Sequence, residues 1–269
     1  DPAAPGAAAL TPEEALRINA SIPFSAAPVR AAAPFVLRAG ADHDRAADCL
    51  TQAIYYEAGF EPRAGQEAVA QVILNRVRHG AFPKTVCGVV FEGGGGGSGC
   101  QFTFACDGSM GRPPAAAAWS RARAVALAAL AGHVQPAVGE ATHYHANYVA
   151  PYWGHTLAKV VQIGAHIFYR WPGGSGEPGA FGYRYAGGEA PPAGVPAAAP
   201  VELAAAASDG PPEPHAPDDV GGRVVLGLGW TPKPPPPSTD ALASILAQQG
   251  GQPAPAAHHA AASTGNAGG

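Results

Sequence analysis

Apolar positions return at helical spacing in three stretches of the chain. From Asp44 to about Gly59 the recurring residues are Leu50, Ala53, Ile54 and Ala58, one face of a 3.6-residue period. Gly59 then permits a turn and Pro62 blocks continuation. A second helix is predicted from about Gly65 to His79. Its stripe is Ala68, Val69, Val72, Ile73 and Val77, with Gln66, Asn75, Arg76 and Arg78 falling mostly elsewhere. A third runs from about Ala115 to Ala131 and ends at Gly132, the residue type favoured just past a helix. Upstream, Thr11 to Asn19 reads as a short helix with Thr11 as N-cap, Pro12 at the first position and acids in the first turn. After the third helix the period shortens. THYHANYV and KVVQIGAHIFYR are rich in Val, Ile, Tyr and Phe with partial alternation, and predict strands. Pro83 to Pro114, with its run of glycines at 93–97, reads as loop.

Composition sets the limits of this ordered region. The chain has 269 residues, enough for two domains, but 36 are Gly and 29 are Pro, with many of them in the last third. Those residues are poor core material. Beyond Gly173 the sequence turns to low complexity, including PKPPPP, a polyproline II signal. Within it GRVVLGLGW, 222–230, is a lone apolar island, equally readable as a docking strand or as a β-prone segment. The expected organisation is an extended lead-in at 1–43, one domain at 44–172, and a disordered Pro/Ala/Gly-rich tail at 173–269.

Charge and cysteines narrow the setting. The net charge is −4 with no basic run, which argues against nucleic acid as a partner. No stretch approaches the roughly 18 unbroken apolar residues of a membrane span. The first residue is Asp1 and the only methionine is Met110, so a removed signal peptide is expected. Four cysteines, 49, 87, 100 and 106, all lie inside the candidate domain. An even number suits disulfides in an oxidising compartment, with three pairings open. The spacings of 38, 13 and 6 match no paired C-x-x-C zinc pattern, and reduced buried thiols are the remaining alternative.

The chemistry centres on Glu57, a carboxylate beside an apolar stripe and directly behind Tyr55 and Tyr56. Desolvation by Ile54, Tyr55 and Tyr56 is a route to a raised pKa, and a raised pKa lets a carboxyl group donate a proton near neutral pH. The bland alternative is a helix-edge glutamate capped or paired with Arg63 or Arg76. A second carboxylate, as nucleophile or base, would come from Glu61, Glu67, Glu92, Asp107 or Glu140; for Asp107, in CDG, capping a turn is the more ordinary role. The histidines offer a rival. THYHA sets His143 and His145 on one strand face, with Thr142 and Tyr144 on the other, and His155 and His166 follow. Clustered His can hold zinc, as in a zinc amidase, but H-E-x-x-H is absent.

Four ordered blocks carry a resemblance: AIYYEAGFEPRAGQEAVAQVILNRVRHGAFPKTVCGVVFE, CQFTFACDG, ATHYHANYVAPYW and KVVQIGAHIFYR. Over roughly residues 45–171 the chain resembles the cell wall hydrolase family of the spore-cortex lytic enzyme SleB and its relative CwlJ. The resemblance implies an α+β, lysozyme-like fold: a helical lobe and a small antiparallel β lobe around a glycan cleft, here flanked by the Ala/Pro/Gly-rich tails. It implies action on peptidoglycan, in the manner of a lytic transglycosylase, and maps the family's catalytic glutamate onto Glu57. The family's usual Ala-Arg-Gly-Glu after that residue is here Ala58, Gly59, Phe60, Glu61, and 93–97 reads as an inserted spacer.

The expected function is therefore cleavage of the glycan strand by a lytic transglycosylase or a muramidase-type glycosidase, with a single glutamate, Glu57, acting as acid and then as base. Gln101, Tyr144, His145 and Tyr152 are candidate substrate-binding residues, through hydrogen bonds to sugar hydroxyls or stacking. No cofactor and no metal is called for, the partner is the peptidoglycan strand, and the enzyme is expected to act as a monomer in the periplasm or cell wall. The alternatives are a non-catalytic wall-binding module and a zinc-dependent amidase.

Overall fold

In this computed structural model the described residues are 10–94, 99–190, and the backbone of 223–225 and 229–231. Helix α1 spans Pro12–Ser21, α2 Ala41–Ala58, α3 Arg63–Arg78, α4 Val86–Val90 and α5 Ala116–Leu130. Strands β1 (His143–Ala146), β2 (Ala158–Ile163) and β3 (His166–Arg170) form an antiparallel sheet in the order β1-β3-β2. A separate antiparallel pair, β4 (Arg223–Val225) and β5 (Gly229–Thr231), lies inside the apolar island. Beyond residue 190, the rest of the expected tail lies outside the described residues.

Helix α2 is central and packs against α3, α4 and α5. Leu50, Ala53 and Ile54 meet Val69, Ile73 and Val77 of α3 and Ala122, Ala126 and Leu130 of α5 in one core. These are the stripes that periodicity picks out, and each fully buried Leu, Ile or Val stabilises by about 1.5–3 kcal/mol. Disulfide Cys49–Cys87 ties α2 to α4, and Cys100–Cys106 closes the loop before α5. Helix α4 falls inside the stretch read as loop. Five residues are too few for a periodic signal, and its ends depend on side chains: Thr85 Oγ1 accepts from the Gly88 amide.

The β lobe joins the helices through one face of its sheet. Phe168, with Tyr144 and Val161 beside it, packs on Ala68 and Val72 of α3. The β2–β3 turn requires Gly164, whose φ is +57°. A Cβ there would meet Glu61 Oε2 at 1.6 Å. Glu61 accepts from the Ala165 amide at 3.2 Å, so the α2–α3 connection braces the turn.

Both flanking segments hold to the domain. Thr11 and Glu14 form a reciprocal capping box on α1. Asn19 donates to the carbonyls of Asn147 and Val149, and the buried Lys159 ammonium donates to the carbonyls of Asn19 and Ile22. Residues 22–40 then run without helix, meeting β2 at Ser25 and α5 at Leu37.

On the other side, order does not end at Gly173. Residues 173–190 make two 3₁₀ turns, Phe181 is 1% exposed, and Glu189 is fully buried. The Glu189 carboxylate accepts from the amides of Val86 (2.7 Å) and Cys87 (2.8 Å), capping α4. The expected boundary at 172 is therefore too early. Composition there speaks against a core, but this strap needs only Phe181, Tyr185 and one carboxylate to hold it.

Candidate active site

Glu57 sits in the last turn of α2 and is half-buried. The two tyrosines before it point elsewhere. Tyr55 is in the core, edge-on to Trp119, and its hydroxyl accepts from the Ala115 amide. Tyr56 stacks on Phe104 at 4.8 Å and donates to the Ser109 carbonyl. They fix the helix against the loop rather than cover the carboxylate.

The group facing Glu57 comes from the sheet. Tyr144, in the middle of β1, donates its hydroxyl to Glu57 Oε2 at 3.2 Å. Its ring is held by Phe102 (6.5 Å), Phe168 (5.6 Å) and an edge contact with His166 (5.2 Å). Burial, and then the negative charge of Glu57, push the phenol well above its ordinary range, so it remains a donor at every working pH. Strand alternation already put Tyr144 opposite the histidine pair; what it lacked was the knowledge that this face meets α2.

Arg76, on α3, completes the wall. It is 3% exposed. Its Nε donates to the Thr142 carbonyl at 2.7 Å, and its guanidinium lies over the rings of Phe82 (5.1 Å) and Phe102 (5.5 Å). Burial pulls its pKa down, against the opposing pull of Tyr144, Glu92 and Glu57.

The candidate second carboxylates are mostly occupied. Glu61 braces the β2–β3 turn, Glu67 takes Arg63, His133 and Gln135, and Asp107 accepts from the Ser109 amide. Glu140 is buried, and burial raises its pKa. Glu92 is the one that shares the charge of Arg76 with Glu57.

The candidate substrate-binding residues separate. Tyr144 reaches Glu57. Gln101 is exposed, beside Phe102. Tyr152 is 87% exposed. His145 does not join them: it is on the opposite face of β1, 8% exposed, with Nε2 against the Tyr169 hydroxyl (2.8 Å) and Nδ1 against the Ala146 carbonyl (2.9 Å). Both nitrogens are engaged, so its role is packing within a cluster with Trp153 and Tyr169. His143 shares that face, against Trp153 and Trp171, with burial drawing its pKa to about 4. Among the described residues no three of His, Cys, Asp and Glu converge to hold a metal ion. No helix among them is long and apolar enough to cross a membrane.

Comparison with known proteins finds relatives for the segment that carries the sheet. Residues 60–169 match the Cell Wall Hydrolase family, a stretch that begins three residues after Glu57. Spore cortex-lytic enzymes match over 119 residues. That of Halalkalibacterium halodurans is 36% identical, covering 44% of this chain and 33% of its own length. That of Bacillus subtilis is 34% identical, covering 44% and 35%. The chain thus spans about a third of the length of these curated relatives. Two solved structures match at 33% identity. The catalytic domain of the germination-specific lytic transglycosylase SleB of Bacillus anthracis covers 47% of this chain and 94% of its own, with a TM-score of 0.39. The catalytic domain of the Bacillus cereus SleB protein covers 50% and 95%, with a TM-score of 0.40. Helices α3, α4 and α5 and the three-stranded sheet as far as Tyr169 lie in the matched stretch, and residues 60–169 of this chain belong to the cell wall hydrolase family.

Proposed function

We propose that the domain cleaves the glycan strand of peptidoglycan as a lytic transglycosylase, with Glu57 as the catalytic acid and base. The observation that carries this reading is the Tyr144–Glu57 hydrogen bond. It sets a half-buried carboxylate, held by an equally half-buried donor, where the helices meet the sheet. A carboxylate meant only to solubilise a helix edge has no need of a phenol reaching it across the lobe boundary.

The chemistry then runs on one group. Glu57 passes its proton to the glycosidic oxygen, which leaves with the bonding electron pair. The anomeric carbon becomes oxocarbenium-like opposite the new carboxylate. A hydroxyl on the same sugar closes on that carbon and returns its proton to Glu57, giving a 1,6-anhydro end. No water is consumed and the enzyme is restored. Tyr144 keeps the carboxylate aimed throughout. Two disulfides suit an oxidising compartment, in keeping with a wall substrate outside the cytoplasm.

The test is Glu57→Gln, which keeps shape and removes the titrating proton. Release of fragments from purified peptidoglycan should fall by about 10²–10⁴-fold, with circular dichroism unchanged. Mass spectrometry of wild-type digests should show anhydro ends. Reducing ends would make the enzyme a hydrolase, freed peptides an amidase, and an intact wall a binding module. A Gln variant that digests at the wild-type rate would remove Glu57 from the chemistry.

A further inference from the structure

Arg76 is an arrangement that folding alone does not call for. A guanidinium carries five donors and a permanent charge. Here it is 3% exposed, yet Nη1 is buried without a hydrogen-bond partner. Taking such a charge out of water is expensive, and leaving a buried donor unpaired adds to that cost. Filling this space between Phe82 and Phe102 is a task for an apolar side chain, and the Thr142 carbonyl is satisfied by any neutral donor.

What only a cation supplies is its field. Arg76 is pinned at Nε by the carbonyl of Thr142, two residues before Tyr144, and packed over two rings. The titrating groups that feel it come from every neighbouring element: Glu57 from α2, Glu92 from the end of the α4 segment, Tyr144 and His143 from β1. We propose that Arg76 is a positioning residue whose fixed charge supports Glu57 each time the proton leaves it and until it returns, with Glu92 tempering that charge. The proposal rests on Glu57 being the acid. A cation locked in place needs no reorganisation as charge develops, which is the condition for electrostatic assistance.

The readout is the pH profile. A general acid must be protonated, so kcat/KM falls on the alkaline side through its pKa in the free enzyme. Removing a nearby cation makes the carboxylate form less favourable and moves that limb to higher pH. At an effective dielectric near 20, a unit charge about 10 Å away is worth about one pH unit.

The full chain is assayed on purified peptidoglycan. Arg76→Gln should move the alkaline limb up by about one unit; Arg76→Lys, keeping the charge, should leave it within about 0.3 unit. Glu92→Gln frees the cation of its second carboxylate and should move the limb the other way. Glu92 is half-exposed, so this variant decides the matter if Arg76→Gln fails to fold. An alkaline limb that stays in place in folded Arg76→Gln, or in Glu92→Gln, overturns the proposal. If Glu57→Gln is inactive while these limbs do not move, only the role of Arg76 falls. If Glu57→Gln is active, the limb belongs to another group and the catalytic reading falls first.

Discussion

Acid should destabilise this protein through His166 before its carboxylates are all protonated. The ring lies in β3 under Tyr144, and burial holds its pKa near 4 instead of 6.5. The unfolded chain binds the proton below about 6.5 and the folded chain only below about 4. Stability is thus full above 6.5 and is lost as pH falls through that window. A gap of 2.5 units corresponds to about 3 kcal/mol when complete, and to about 1.4 kcal/mol at pH 5.5. Glu61 Oε1 is 3.8 Å from Nδ1, and a charged ring gains that pair, so these figures are upper values. His143, also near 4, and His79 and His145 act in the same direction. Glu140 and Glu189 oppose them: burial raises both, so each favours the folded state more as the pH falls. His166→Leu isolates one contribution. Urea unfolding at pH 7.5 and 5.5 should show a wild-type loss larger than the variant's by about 1 kcal/mol, roughly 0.5 M in midpoint at an ordinary m-value. Whatever the variant's absolute stability, equal losses in the two proteins would show that His166 does not carry the acid response.

The other perturbations act on single contacts. Tyr144→Phe removes one hydrogen bond to a charged group, so kcat should fall by about 10–100-fold with the melting temperature little changed; undiminished turnover would remove Tyr144 from the positioning of Glu57. Replacing Cys49 and Cys87 together by Ser opens a 38-residue separation and should cost about 4 kcal/mol in chemical denaturation, against about 2 for Cys100 and Cys106, which are 6 apart. Glu189→Ala strips the cap from α4 and should cost about 2–3 kcal/mol; a chain ending at residue 174 should lose at least as much, and one ending at 190 should keep these contacts.

Legibility followed the length of the periodic signal. Helices α2, α3 and α5 are long enough for their stripes to be read, and the shift to period two marked β1, β2 and β3. Starts were less sharp: α2 begins at Ala41 rather than Asp44, with only Gly40 before it and no side-chain cap. Helix α4 and the 173–190 strap were missed because their anchors are pairs far apart in sequence. Nothing local to Val86 announces that Glu189 will reach its amide. At the site, Glu57 and Tyr144 were both visible. His145 was grouped with Tyr144 as a candidate for substrate, yet alternation sends the two to opposite faces of β1, and only Tyr144 faces Glu57. Arg76 was visible as an off-stripe charge and as a possible partner of Glu57, but its burial was not, since the phenylalanines that cover it lie outside its own helix.

The Glu189 cap also sets an order of events. Cys87 contributes its sulfur to the bridge with Cys49 and its amide to Glu189. The helix that presents this cysteine is finished only when a residue 102 positions later has emerged. A chain folding from its N-terminus under oxidising conditions can therefore close the bridge early, but α4 gains its anchor only after almost the whole domain has emerged. A chain halted between residues 87 and 189 is an oxidised intermediate with an open end at α4, a natural point of attack for proteases.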